Sequence, residues 1–253
     1  MSEEVLYQKL HNGKIAVLSF NRPKQLNAVN NELINQLRRY MEQIKRDSDI
    51  GVLIIKSEIE KAFCSGIDVS YVKDLSNEEA SQFFEQIAET LKALIDFPIP
   101  TIAIVQGYAF GAGADFSIAC QLRIASESTK FRFPGPQFGV VLGTQRLVNE
   151  VGSSKARMLA LTNQMLDAKE SLQYGLIHKV VDLEDCLNVA LEWAEKLLKM
   201  PRFTFEKIQE ICNEHLVNEN VLNSGVLAKQ SILDGDFNTR FVMYVDRLKK
   251  KVK

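Results

Sequence analysis

From Phe97 to Leu122 the chain runs for 26 residues with a single charged side chain, Asp115. Its first 18 residues carry no charge at all, close to the ~20 apolar residues that a membrane-spanning helix needs. Pro98, Pro100, Gly107, Gly111 and Gly113 break that length. The segment therefore reads as a strand (Thr101–Gln106), a glycine-rich turn and an apolar helix, and not as one span. A helix apolar all round has to be buried inside a larger core. The 253 residues, 46% hydrophobic and 25% charged, are enough to build one.

Other short runs rich in Val and Ile read as buried strands: Ile15–Phe20, Gly51–Lys56, Leu122–Ala125 and Ile177–Val181. Between them, Leu33, Ile34, Leu37, Met41 and Ile44 recur at helical spacing behind the N-cap candidates Asn30 and Asn31. Ser76 to Glu79 has the form of a capping box opening a helix that runs to about Phe97. Asp167 and Gly175 bracket another helix, and Leu183–Met200 reads as one closed by Pro201. Strands alternating with helices predict an α/β layered fold. The strand signal fades after Val181, which divides the chain into an α/β core over 1–197 and a helical part over 198–253.

Charge is nearly balanced, 31 Lys and Arg against 32 Asp and Glu, so a chain-wide basic footprint for nucleic acid is absent. The four cysteines and three histidines are scattered, with no CxxC pair. Neither a zinc site nor a disulfide framework is expected, and a reducing compartment, the cytoplasm, is the simplest inference. The first residues show no basic region followed by an apolar stretch, so neither a leader peptide nor a membrane is expected. One local asymmetry remains. Residues 240–253 hold six basic side chains against Asp246 alone. They read first as a solvated helix end whose cations suit the dipole, and second as a site for anionic phosphates.

Three stretches can carry chemistry. In Gln106–Cys120 a strand runs into the glycine turn and then a helix, whose unpaired first N–H groups can hold an anion or a developing oxyanion. Taken by themselves, glycines at such a turn are better explained by packing. Asp115 sharpens the picture, because burial in this helix raises its pKa toward the range of a general acid or base. The alternative is an Asp simply held by the helix dipole. In Lys61–Val69, Gly66 permits another turn with exposed N–H groups, Asp68 suits a loop-fixing acceptor, and Cys64 reads as a buried thiol. Phe131–Leu147 reads as a rigid loop rich in Pro and Gly, without a carboxylate.

Taken in order, LSFNRPKQLNAVN (18–30), AFCSGID (62–68), GYAFGAGAD (107–115), GTQRL (143–147), VG (151–152), LT (161–162) and YGLIHKVV (174–181) resemble the enoyl-CoA hydratase/isomerase (crotonase) family. The resemblance implies a spiral of β-β-α units with a helical C-terminal region that assembles trimers, or dimers of trimers. It implies an acyl-CoA thioester as substrate, with coenzyme A arriving as part of it and no tightly bound cofactor. The backbone N–H groups of Ile67, after Gly66, and of Ala112, after Gly111, are then expected to polarise the thioester carbonyl. Arg22, Lys24, Ala28, Ser65 and Asp68 are expected beside the CoA moiety.

The carboxylates depart from the hydratase pattern. Family hydratases carry one Glu on the helix after the glycine turn and a second about twenty residues later. Here those positions are Asp115 and Gly135. Water addition needs one group to orient or deprotonate water and another to protonate carbon. A single Asp suits double-bond isomerisation or decarboxylation through a thioester enolate better. The alternatives are a hydratase of low activity, or a protein that binds acyl-CoA without transforming it. A nucleotide phosphate loop is disfavoured, since neither the Gly-Lys-Ser/Thr sequence nor GxGxxG spacing is present.

Overall fold

The computed structural model describes residues 3–213, 224–233 and 236–251. Two sheets organise it. The strands are β1 (Val5–Leu10), β2 (Ile15–Phe20), β3 (Val52–Ser57), β4 (Ala62–Cys64), β5 (Thr101–Val105), β6 (Tyr108–Phe110), β7 (Leu122–Ser126), β8 (Lys130–Arg132), β9 (Leu166–Asp167) and β10 (Lys179–Val181). The larger sheet has the order β1-β2-β3-β5-β7-β10 and the smaller one β4-β6-β8-β9. β1 and β2 form an antiparallel hairpin, and from β2 to β10 neighbours in the larger sheet are parallel. Three times in succession the chain gives one strand to the large sheet and the next to the small one: β3 then β4, β5 then β6, β7 then β8. This is the expected spiral of β-β-α units.

Covering helices fill the gaps: α1 (Asn31–Arg46), α2 (Val69–Lys73), α3 (Asn77–Ile95), α4 (Ala112–Ala119), α5 (Thr144–Val151), α6 (Ser153–Thr162), α7 (Ala168–Tyr174), α8 (Cys186–Leu197), α9 (Arg202–Asn213), α10 (Ser224–Leu233) and α11 (Phe237–Lys251). The starts of α1, α3 and α7 follow from their caps. Asn30 Oδ1 accepts from Leu33 N–H at 2.8 Å, and Ser76/Glu79 and Asp167/Glu170 form reciprocal capping boxes. The helix expected over Leu183–Met200 is shorter: a single 3₁₀ turn occupies Leu183–Asp185, α8 starts at Cys186, and Leu198 caps it.

The inner strands of the large sheet, β2, β3, β5 and β7, are buried on both faces, which is why they read as unbroken apolar runs. Ile15, Val17, Val52, Ile54, Ile102, Ile104 and Ile124 face α8, where they meet Val189, Ala190 and Ala194. The alternate residues, such as Ala16, Leu18, Leu53, Ile55, Ala103 and Val105, face the main core with the other helices. The C-terminal helices return to this core. Phe237 and Phe241 of α11 stack at 5.3 Å, and both pack edge-on against Phe138. The tail beyond Lys251 and the side chains of 250 and 251 lie outside the described residues. Within α11, Arg247 and Lys249 are exposed. No helix among the described residues is long and apolar enough to cross a membrane, and all four cysteines are free.

Candidate active site

A cavity of about 610 Å³ opens where the small sheet, α4, the 131–147 segment and α11 meet. Its wall is mostly apolar, with Phe84, Phe133, Phe138, Leu142 and Leu147 among the contributors. Of the sites read from the sequence, Ser65, Gly66, Ile67, Gly111, Ala112, Asp115 and Gly135 all line it.

Two turns enter this wall side by side. Gly66 has φ +103° and Gly111 φ +49° with ψ −121°, conformations that L side chains adopt only with strain. They are packed together: a Cβ on Gly66 would lie 3.0 Å from the carbonyl oxygen of Phe110. Each turn aims the next N–H away from the secondary structure. Ile67 forms a parallel bridge with Val29, but that bridge uses the carbonyl of Gly66 and the N–H of Asp68. Ala112 is the first residue of α4, so its N–H precedes the helix ladder. Neither N–H donates to a backbone acceptor among the described residues. Two free donors on one cavity wall are the equipment needed to hold a carbonyl that gains negative charge.

Asp115 sits in the first turn of α4, whose eight residues are all buried. Its carboxyl borders the cavity, and burial alone pushes it up to about 7. Desolvation is the sole cause of that shift, with no hydrogen bond or neighbouring charge favouring the ionised form. Across the cavity the carboxylate fills the space where Gly143, at the start of α5, has no side chain: a Cβ there would lie 1.9 Å from Asp115 Oδ1. Cys64, the other nearby group with reactive potential, is fully buried with its thiol pushed up to about 12, so it remains an inert packing residue.

The remaining expected CoA contacts lie outside the cavity lining. Arg22 is buried and committed inside the fold, paired with Glu4 Oε1 at 3.0 Å and Asp68 Oδ2 at 3.0 Å and bonded to the carbonyl of Ala28. Asp68 also caps α2 through Ser70 and Tyr71 N–H, the loop-fixing role read for it. Lys24 is exposed on the same loop. That loop touches the cavity rim, because Ser65 N–H donates to Leu26 O at 3.0 Å and Leu26 is a lining residue. The segment read as a loop over 131–147 holds the end of β8, a 3₁₀ turn at Gly135–Phe138 and the start of α5. Sequence reasoning missed Arg132, Gly143 and Tyr244, which also line the cavity. The single-residue signal for Gly143 was present in GTQRL, but its partner lies 28 positions away in sequence.

Known proteins agree with this architecture. The chain is 35% identical over 189 residues to the short-chain-enoyl-CoA hydratase of Clostridium acetobutylicum, covering 74% of this chain and 72% of the relative. It is 32% identical over 230 residues to a probable mitochondrial enoyl-CoA hydratase of Dictyostelium discoideum, covering 90% and 81%. The solved enoyl-CoA hydratase of Bacillus anthracis superposes with a TM-score of 0.81 at 26% identity, over 98% of this chain and 97% of that one. A Bordetella parapertussis structure at 22% identity shares the fold with a TM-score of 0.87, over 96% and 99%. The family model described as enoyl-CoA hydratase/isomerase matches residues 11–250. With paired N–H donors and a buried carboxyl on one cavity, and with these similarities spanning nearly its whole length, the chain belongs to the enoyl-CoA hydratase/isomerase family.

Proposed function

We propose that this protein transforms an acyl-CoA through a thioester enolate, using Asp115 as its only proton-transferring carboxylate. The observation that carries this reading is the cavity wall itself, where Asp115 is the one carboxylate among the described residues and Gly135, the position at which the family resemblance expects a second, has none. The N–H groups of Ile67 and Ala112 donate to the thioester oxygen. Each such donor supports the developing charge by about 3 kcal/mol. Asp115 then removes a proton from carbon as a carboxylate, leaving the electron pair on the enolate. As the carboxylic acid it returns that proton to a different carbon, and the double bond has moved. A carboxyl near pH 7 in affinity populates both forms at neutral pH, as such a shuttle requires.

Decarboxylation uses the same donors and asks less of the base. Hydration, the activity in the names of several relatives, asks for a second group that the described residues of the wall do not supply. Coenzyme A is held as part of the substrate, with the Arg22–Ala28 loop and Ser65 at the rim. Assembly into trimers or dimers of trimers fits exposed apolar side chains on α9, including Phe203, Ile208 and Ile211. Light scattering is expected to give three or six times the 28.6 kDa chain mass, and a monomer would contradict it.

The test is turnover of an enoyl-CoA panel by wild type, Asp115→Asn and Gly135→Glu. Wild type is expected to isomerise, Asp115→Asn to bind thioester but lose turnover, and Gly135→Glu to gain hydration. Fast hydration by wild type that survives Asp115→Asn would falsify these roles.

A further inference from the structure

Among the described residues the cavity wall holds one cation, Arg132, and the acyl-CoA reading leaves it without work. Arg132 ends β8, side by side with Phe110 of β6. Its Nε donates to the carbonyl of Asn163 at 3.1 Å and to Asn163 Oδ1 at 3.0 Å. That pair ties β8 to the C-terminal end of α6, where Asn163 is the left-handed cap. A purely structural role explains Nε and stops there. The two terminal nitrogens have no hydrogen bond or ion pair among the described residues, although other arginines around the fold, Arg22, Arg123 and Arg146, are all paired with carboxylates.

Tyr244 of α11 lines the same cavity; burial raises its phenol, and the charge of Arg132 offsets part of that rise. The ring packs on Phe138 at 5.1 Å, and its hydroxyl has no hydrogen-bond partner among the described residues. A half-buried guanidinium and an unbonded hydroxyl on one mostly apolar wall form a costly arrangement unless a ligand completes it. The position of Arg132 limits what that ligand is. Its carbonyl accepts from Gly111 N–H at 2.9 Å, one residue before the donor Ala112. The root of the Arg132 side chain therefore sits beside the Gly111–Ala112 turn, on the same cavity as the proposed carbonyl site. The phosphates of CoA are separated from that carbonyl by the whole pantetheine arm, whereas the far end of a short acyl chain is not.

We propose that Arg132 and the Tyr244 hydroxyl read a carboxylate at the distal end of a short acyl chain, so that the preferred substrates are CoA thioesters of short dicarboxylic acids. This rests on the acyl-CoA reading above. The guanidinium offers a two-pronged grip to the carboxylate, and sites built on such contacts discriminate strongly against analogues lacking the group.

The experiment is calorimetry of the full chain with three probes: CoA, pentanoyl-CoA and glutaryl-CoA, the last two matched in carbon number. Wild type is expected to bind glutaryl-CoA at least tenfold tighter than pentanoyl-CoA. Arg132→Met should erase that preference while the affinity for pentanoyl-CoA stays within about twofold. Tyr244→Phe, which keeps the ring on Phe138, should erase part of it. Equal affinity of wild type for the two esters overturns the proposal and leaves the acyl-CoA reading intact. A loss for CoA itself in Arg132→Met, as large as that for glutaryl-CoA, also overturns it and assigns the guanidinium to a phosphate. Failure of wild type to bind any of the three overturns both.

Discussion

Replacing Gly143 by Ala tests whether the placement of Asp115, and not merely its presence, sets the rate. Gly143 has φ −87°, so alanine fits the backbone without strain. The new methyl is the entire perturbation. It would sit 1.9 Å from Asp115 Oδ1, 2.4 Å from Cγ and 3.0 Å from Oδ2, against about 3.4 Å for ordinary contact. The carboxylate has to withdraw by roughly 1.5 Å, because α4 is buried on every side and cannot shift as a body. Misplacing a reacting group by about 1 Å costs on the order of a hundredfold. Overpacking of this kind costs about 1–3 kcal/mol of stability, which a fold of this size tolerates. The expected result is kcat lowered about a hundredfold with thioester affinity held within about threefold. A double-mutant cycle makes the claim specific. On an Asp115→Asn background the same alanine should cost little more, since the two act as one unit. Full activity in Gly143→Ala, or an equal further loss in the double variant, would refute the reasoning.

The folded protein holds Asp115 protonated up to about pH 7, against about 3.8 when unfolded, so the native state binds the extra proton across that window. Stability is therefore greatest below pH 4 as far as this group is concerned, and is lost as pH rises through 7, by up to about 4 kcal/mol. Asp115→Asn should accordingly raise the denaturation midpoint at pH 8 and leave it nearly unchanged at pH 4, as read by urea titration. Glu150 neutralises the fully buried Arg123 and also pairs with Arg146 at 2.8 Å. Glu150→Gln strands a buried guanidinium and should cost about 3–5 kcal/mol by chemical denaturation; a loss under 1 kcal/mol would show that the pair is dispensable.

What the sequence discloses follows from how local each signal is. Ile15–Phe20 matches its strand end to end, and Ser76/Glu79 marks the start of α3, because buried strands and capping boxes are written in contiguous residues. The solitary Asp115 could be read as buried for the same reason. The strands β4, β6 and β8 have three residues each, too few to show any period, and yet they build the wall from which both free N–H groups emerge. Gly143 against Asp115, and Arg132 with Tyr244 on one cavity, are meetings of distant segments that no local pattern announces. Arg22 shows the converse: a basic residue in a family motif, already satisfied by Glu4 and Asp68 inside the fold.

The parallel pairing of β4 with β6 brings the Gly66 and Gly111 turns together, and this has a consequence for how the protein can change over time. In the proposed mechanism the electrophilic half is made of main chain, so substitutions at positions 67 and 112 swap side chains without deleting the donors. The proton-carrying half proposed with it is a single side chain, erased or rewritten by one codon. Drift can thus alter or silence the reaction while the machinery that grips and polarises a thioester persists. The fold keeps the question and leaves the answer to position 115.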